Sequence, residues 1–133
     1  MLMKQILTFL FLTNAFFVLS NNPVNLYEHE PSESFDNIYS KMLFGDNELV
    51  NSFIIYINES VPEHFHQFHS EHVLIIEGSG IFKIDNELFH AKAGDLFFLP
   101  KKVSHGFTVT EGPVKALSIQ APYFDGTDRI LTE

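Results

Sequence analysis

The strongest constraint on the fold of this chain is a run of short apolar segments that begins at Leu49. The segments are rich in β-branched and aromatic residues, and turn-forming residues interrupt them at spacings of roughly 8–12 residues. They cover 49–57, 73–76, 81–84, 88–91, 96–99, 103–110 and 114–120, with turns expected at 77–80, 85–87, 92–95 and 111–113. Such a pattern is typical of a β-barrel or β-sandwich, and 133 residues suggest one domain.

The first twenty residues have the order of a secretory signal peptide. Lys4 supplies a positive charge, an apolar stretch follows, and Val18 to Ser20 offer small or aliphatic side chains for a signal peptidase. The stretch is shorter than the roughly 20 residues that span a bilayer, although an uncleaved anchor and a misplaced start are alternatives. We therefore expect residues 1–20 to be removed, leaving a secreted or periplasmic protein without a stable membrane anchor.

The remaining chain divides into three parts. Residues 21–46 are expected to form a polar leader and a first strand, 47–121 the barrel, and 122–133 a C-terminal tail. Positions 34–45 are ambiguous, because Phe35, Ile38 and Met42 also fit a helical stripe that begins at Ser34. The surrounding β pattern favours a strand.

Charge and cysteine content exclude several classes of function. The formal net charge is −9 at pH 7 and there is no basic patch, so the chain would repel the phosphates of a nucleic acid. No cysteine is present, which excludes disulfides and thiolate ligands. Any bound metal must therefore be held by nitrogen and oxygen atoms.

Histidines are concentrated between positions 64 and 72. Residues two apart on a strand share a face, so His64 and His66 can bind one ion, whereas a lone pair of this kind is often a pair of surface residues. Glu71 and His105 lie on later predicted strands. Three imidazoles and one carboxylate leave coordination positions open, which is typical of a reactive rather than a structural site for a divalent transition metal. Iron, manganese, nickel, zinc and copper all suit this ligand set.

The spacing of these residues resembles the two motifs of the cupin superfamily over about residues 47–121. The first motif is matched at Asn58, His64, His66, Glu71 and Gly78, and the second at Gly94, Pro100, Lys102, His105 and Val109. The resemblance implies a single-domain, all-β fold of the double-stranded β-helix or jelly-roll type. It also implies that His64, His66, Glu71 and His105 are the metal ligands.

Three motif positions depart from the family pattern. Asn58 and Lys102 stand where the family has glycine, and Val109 replaces an asparagine that is not a ligand in the family. Asn tolerates a left-handed backbone, so the first turn is expected to survive. A lysine at a position that requires positive φ would cost about 1 kcal/mol.

Other residues near the motifs are candidates for contact with a bound small molecule, and no catalytic residue is assigned. Phe65 and Phe107 suit a dry wall around the metal. His69 could be an alternative ligand, a proton shuttle or a solvent-facing loop residue. His72 and His90 are expected to face away from the barrel interior.

The tail at 122–133 is expected to close the barrel. Phe124 is expected to pack on the barrel and Asp125 to open a turn. Tyr123 or Arg129 could reach the mouth of the pocket, although simple packing is the alternative.

The resemblance and the open coordination positions favour an exported metal-dependent enzyme. We expect it to act on a small polar organic molecule such as a sugar, a polyol or an organic acid, as an isomerase or a dioxygenase. The alternatives are a non-catalytic periplasmic module that binds a metal or small molecule, and a metal that only stabilises the barrel. A homodimer is also expected, with the strand at 49–57 as a candidate edge.

Overall fold

The computed structural model describes residues 22–132, which form eight β-strands and no helix. The strands are β1 (Ile38–Gly45), β2 (Asn51–Ile57), β3 (Ser60–Phe65), β4 (Ser70–Ile84), β5 (Glu87–Lys92), β6 (Leu96–Leu99), β7 (His105–Ala121) and β8 (Ile130–Leu131). The predicted all-β architecture is confirmed, as is a strand rather than a helix near 34–45. Within this part of the chain, no helix could cross a membrane. The predicted signal peptide at 1–20 lies outside the described residues.

Strands β4 and β7 form one long antiparallel ribbon that builds most of the barrel. The first half of β4 pairs with the last residues of β7, as in Ser70 with Ala121, and its second half pairs with the first residues, as in Ile84 with His105. The turns expected at 77–80 and 111–113 are wrong, because the structure has register shifts within continuous strands there. Gly78 permits the bend, with φ of 80° and no room for a side chain beside the carbonyl oxygens packed on it.

The sheet order is β1-β2-β7-β3-β8, with β5 and β6 both paired to β4. Strand β2 is therefore an interior strand with β1 on one side and β7 on the other. The expectation that the strand at 49–57 is a free edge is wrong, because the residues before it return as β1 and cover it. Strand β1 is the edge instead.

Alternating side chains of the strands fill the interior. The buried cluster lies in the middle of the barrel and consists of Ile57, Val73, Ile75, Phe82, Ala91, Leu99, Phe107, Val114 and Ala116. The inward set predicted for β4, which is Glu71, Val73 and Ile75, is confirmed by its burial, and the exposure of His72 follows from the same alternation. His90 is exposed as expected.

The leader packs against the outside of the barrel. Leu26 and Phe35 pack on a second buried cluster that contains Tyr39, Ile54 and Tyr56. These side chains form the outer face of β1 and β2, and the leader shields them from water.

Several residues in tight turns adopt the left-handed backbone conformation. Asp85 has φ of 50° in the hairpin between β4 and β5, and Gly94 has φ of 95° before β6. Lys102 has φ of 70°, so the position does require what glycine supplies in the family motif. Asn58 does not have positive φ, so its expected left-handed conformation is wrong. Its side-chain amide instead donates to the carbonyl of Asp36 at 2.7 Å.

Candidate metal centre

Three of the four predicted ligands are imidazoles that two neighbouring strands bring together. His64 on β3 and His105 at the start of β7 are opposite each other in the ladder, and their ring centroids are 4.3 Å apart. His66 follows the end of β3 and turns its ring to within 5.4 Å of the His105 ring. All three side chains are buried.

Backbone carbonyls orient each of these rings. The Nδ1 atom of His64 is 2.8 Å from the carbonyl oxygen of Pro62, and that of His105 is 3.0 Å from the carbonyl oxygen of Val103. The Nδ1 atom of His66 bonds the carbonyl of Asp128. A carbonyl only accepts, so each Nδ1 carries the hydrogen and each Nε2 of the neutral ring presents a lone pair.

The ligand atoms of the three imidazoles lie within 4.8 Å of one another. The fourth predicted ligand, Glu71, stands beside this trio. Its Oε2 atom is 3.4 Å from Nε2 of His66 and 3.5 Å from Nε2 of His105. The other oxygen of the carboxylate accepts a hydrogen bond of 2.5 Å from the hydroxyl of Ser118.

The protonation of these groups follows from burial and from their neighbours. Burial lowers the pKa of His64 to about 4, so that this ring is neutral at pH 7. Burial would lower the pKa of His66 too, but Glu71 and the carbonyl of Asp128 outweigh it and raise that pKa. For Glu71, burial opposes ionisation, but His105, His66 and Ser118 outweigh it and lower the pKa to about 2. The carboxylate is therefore ionised at neutral pH.

A divalent cation fits this set of donors. The Nε2 atoms of His66 and His105 are buried, and neither has a hydrogen-bond partner among the described residues. Both atoms lie near the anionic carboxylate of Glu71. Two lone pairs beside an anion repel it unless a positive charge lies between them. A transition metal supplies that charge and accepts nitrogen and oxygen ligands together.

The trio lines a cavity of about 160 Å³, together with Glu71 and inward side chains of the barrel. Most of the wall is apolar and comes from inward side chains of the buried cluster, among them Ile75, Phe82 and Phe107. The predicted dry wall is thus present at Phe107. Phe65 does not line the cavity, because it is the last residue of β3, lies between His64 and His66 in the chain, and points to the other face.

The C-terminal tail completes the site, and Asp128 is its main anchor. The Asp128 carboxylate accepts hydrogen bonds from the backbone N–H groups of Gln67 and Phe68 at 2.9 and 2.8 Å. It also bonds Nδ1 of His69 at 2.5 Å. Since its carbonyl holds His66, one tail residue fixes the loop that carries a candidate ligand. No pattern in the sequence pointed to Asp128, because the contact spans about sixty residues.

His69 serves this connection and does not line the cavity. Its Nε2 atom is 2.9 Å from the carbonyl of Tyr123, so both ring nitrogens bond the tail. The side chain is 7% exposed, which contradicts the expectation of a solvent-facing residue. With neither nitrogen free, His69 has no atom left to serve as an alternative ligand or to contact a small molecule.

Besides the candidate ligands, the polar residues at the cavity wall are Ser40 of β1, Gln120 of β7 and Arg129 of the tail. Arg129 and Phe124 of the tail line the cavity, as does Gln120 of β7. The Phe124 ring packs against His66 with ring centroids 5.3 Å apart, in agreement with the expected packing on the barrel. The inward orientation of Ser118 and Gln120 could have been predicted from the sequence, because these residues continue the alternation of the inward-facing Val114 and Ala116.

Comparison with known proteins agrees with this architecture. The family model of the cupin domain matches residues 52–120. The uncharacterized protein MJ1618 of Methanocaldococcus jannaschii is 29% identical over 98 residues, which cover 73% of this chain and 75% of that protein. Among solved structures, KdgF from Halomonas sp. has a TM-score of 0.66 at 18% identity, covering 74% of this chain and 91% of KdgF.

A second solved structure is that of Pac13 from Streptomyces, which is described as a nucleoside dehydratase. It has a TM-score of 0.66 at 19% identity, covering 86% of this chain and 92% of Pac13. At these levels of identity the structural likeness establishes the fold alone.

Proposed function

Because this chain belongs to the cupin superfamily, we propose that it is an exported, metal-dependent enzyme that acts on a small polar organic molecule. The substrate would be a sugar, a polyol or an organic acid, and the reaction an isomerisation or a dioxygenation. The observation that carries the proposal is the group of three buried imidazoles, each fixed at Nδ1 by a backbone carbonyl. Their ligand atoms converge beside an ionised carboxylate at the wall of a cavity.

The donor set would hold iron, manganese, nickel, zinc or copper through His64, His66, His105 and Glu71. A metal in that position would supply Lewis-acid or redox chemistry to a molecule in the cavity. The chain's own residues prepare the site. Ser118 holds the Glu71 carboxylate, and the mostly apolar wall provides surroundings of low polarity, which strengthens electrostatic interactions inside.

The comparisons support the proposal that this protein is an enzyme whose substrate is a small molecule. Pac13 is described as a nucleoside dehydratase, and structures of it contain uridine. The cavity of the present chain lies within the same fold and is lined by side chains of its own barrel and tail. A cavity of this kind suits a small molecule and excludes a macromolecule.

A non-catalytic binding module is the second candidate, and one observation favours it. Among the described residues that line the cavity, none offers an acid or base besides the four candidate ligands and Arg129. Glu71, with a pKa of about 2, is a poor proton acceptor at neutral pH. Turnover would then depend on the metal, whereas binding would need only the cavity.

The first test is the metal content of the untagged protein, measured by elemental mass spectrometry. We expect about one transition metal per chain in the wild type and close to none in His66→Ala. His90→Ala is the matched control, because His90 is exposed and lies outside the site. Equal metal in His66→Ala and the wild type would refute the assigned site.

The second test separates the enzyme from the binding module. The metal-loaded protein would be incubated with a panel of sugars, polyols and keto acids, and isomers and dioxygen consumption would be measured. Product that disappears on chelation and returns with the metal supports the enzyme. Ligand-induced stabilisation without product supports the binding module.

The third test concerns export. Mass spectrometry of the protein recovered from the host's periplasm or medium should find a chain that begins near residue 21. A full-length chain retained in the cytoplasm would refute export and leave the metal site untouched.

A further inference from the structure

Arg129 is the one arginine of the chain, and it lies at the wall of the cavity. The buried lysine, Lys115, is neutralised by Glu77 at 2.8 Å, and Lys83 pairs with Glu63 at 2.5 Å. No carboxylate within residues 22–132 forms an ion pair with Arg129, although acidic residues outnumber basic ones by 17 to 8 in the chain. Arg129 is exposed to solvent as well as lining the cavity, so its guanidinium is accessible to an anion that enters from outside.

Gln120 presents an unused acceptor in the same cavity. The side chain is 5% exposed, and its Oε1 atom has no hydrogen-bond partner among the described residues. The hydroxyl of Ser118 donates to Glu71, so its oxygen can only accept from the Gln120 amide at 3.4 Å. This orients the amide group and directs Oε1 away from Ser118. A buried acceptor without a donor is costly, and a donor on a bound molecule would relieve that cost.

Apart from Ser40, which is exposed, the rest of the wall limits the number of polar groups that a ligand can bring. Ile55, Ile57, Val73, Leu99 and Phe82 line the cavity and offer no hydrogen bond. A polyol or an unmodified sugar would lose the hydration of several hydroxyl groups there without replacement, which disfavours binding. An apolar body with one anionic end matches the wall better.

We propose that the cavity binds a small organic acid with an apolar body, whose carboxylate pairs with Arg129 and whose hydroxyl donates to Gln120. This inference rests on the proposed function and narrows its three substrate classes to one. A guanidinium binds a carboxylate through two parallel hydrogen bonds, so the pairing is selective for a planar anion. The position of Arg129 in the tail sets the orientation of the acid, with its apolar body directed into the barrel.

The test uses three probes of similar size: 2-hydroxy-4-methylpentanoate, the corresponding amide, and xylitol. Each is titrated into the metal-loaded full-length protein by calorimetry. We expect the acid to bind most tightly and xylitol most weakly. Any metal in the site attracts carboxylates as well, so the decisive quantity is the ratio of acid to amide affinity in matched variants.

Arg129→Gln should reduce the affinity for the acid about tenfold and leave the affinity for the amide nearly unchanged. The ratio of acid affinity to amide affinity should therefore also fall about tenfold. Lys92→Gln removes the same charge from an exposed position outside the cavity and should leave the ratio unchanged. Gln120→Ala should weaken the binding of the acid and of the amide by the same factor, because both carry the 2-hydroxyl group that donates to Gln120. The proposal is overturned if the ratio is equal in wild type and Arg129→Gln, if xylitol binds more tightly than the acid, or if no probe binds.

The two levels of the proposal fail separately. A protein that contains its metal but shows no dependence on Arg129 retains the proposed function and loses this inference. A protein without metal in its wild-type form loses the proposed function. The same titrations on the metal-free protein then give the acid-to-amide ratio, which still tests the role of Arg129.

Discussion

Replacing Asp128 by alanine tests whether the C-terminal tail holds the candidate site in place. The carboxylate accepts hydrogen bonds from Gln67 N, Phe68 N and His69 Nδ1. Asp128→Ala removes all three acceptors. With about 1 kcal/mol for each bond to a partly exposed backbone group and more for the buried histidine, the free energy of unfolding should fall by about 3–4 kcal/mol. For a domain of this size the melting temperature should fall by roughly 10 °C or more.

Urea titration followed by circular dichroism measures the free energy, and two further variants calibrate it. Asp125→Ala is the matched control, because Asp125 lies in the same tail but is exposed and accepts only from Thr127. It should cost less than about 1 kcal/mol. Asp128→Asn keeps one acceptor oxygen and should fall between the two. Equal unfolding free energies for Asp128→Ala and Asp125→Ala would refute the anchoring role of the carboxylate.

The same carboxylate predicts a loss of stability in acid. Burial opposes ionisation of Asp128, but His69 and the two backbone N–H groups outweigh it and lower the pKa from 3.8 to about 2. A depressed pKa means that the unfolded state binds the proton first, so the stabilisation is complete above about 3.8 and disappears as the pH falls towards 2. Asp128→Asn should lose part of this acid dependence. The prediction would be contradicted if the free energy of unfolding changed with pH in the same way in the wild type and in Asp128→Asn between pH 5 and 2.

Three further predictions concern the site and the strand beside it. The pKa of His66 is raised above 6.5, and a proton competes with a metal for its Nε2 atom. The affinity for zinc should therefore fall as the pH drops from neutrality to 5. A zinc affinity that stays constant over this range would contradict the prediction. Ser118→Ala removes the hydroxyl bonded to Glu71 and should lower zinc affinity up to about tenfold, with an unchanged titration as the opposing result. Gly80→Ala would place a Cβ atom 2.3 Å from Cζ of Phe107. The free energy of unfolding, measured in urea, should fall by about 2 kcal/mol or more. A decrease below about 0.5 kcal/mol would refute the close packing.

The parts of the structure that follow local rules were predictable from the sequence. The inward positions of His64 and Glu71 follow from the two-residue period of a strand, once a break is placed between them. The spacing of His64 and Glu71 to His105 indicated the resemblance to the cupin superfamily, and the match to the family model confirms it. Local patterning suffices there because the face of a strand is decided within a few residues.

Features that depend on distant pairing were not predictable. Glycines at 78 and 80 indicate a turn, yet β4 continues through them because β7 provides a pairing partner about thirty residues away. The orientation of His69 was open, because it lies in the break between β3 and β4, where the strand period does not apply. Phe65 is a different case, because its position between two inward histidines already excludes it from the wall.

The connection of the tail to the histidine loop has a consequence for the biosynthesis of the site. Residues 123–129 are translated after the whole barrel, and until they leave the ribosome His66 lacks the carbonyl that orients its ring. The cavity would also lack Phe124 and Arg129 at that stage. A nascent chain arrested before residue 123 should therefore take up zinc more weakly than a chain that includes the tail, so full metal affinity should develop only after residues 123–129 have been translated.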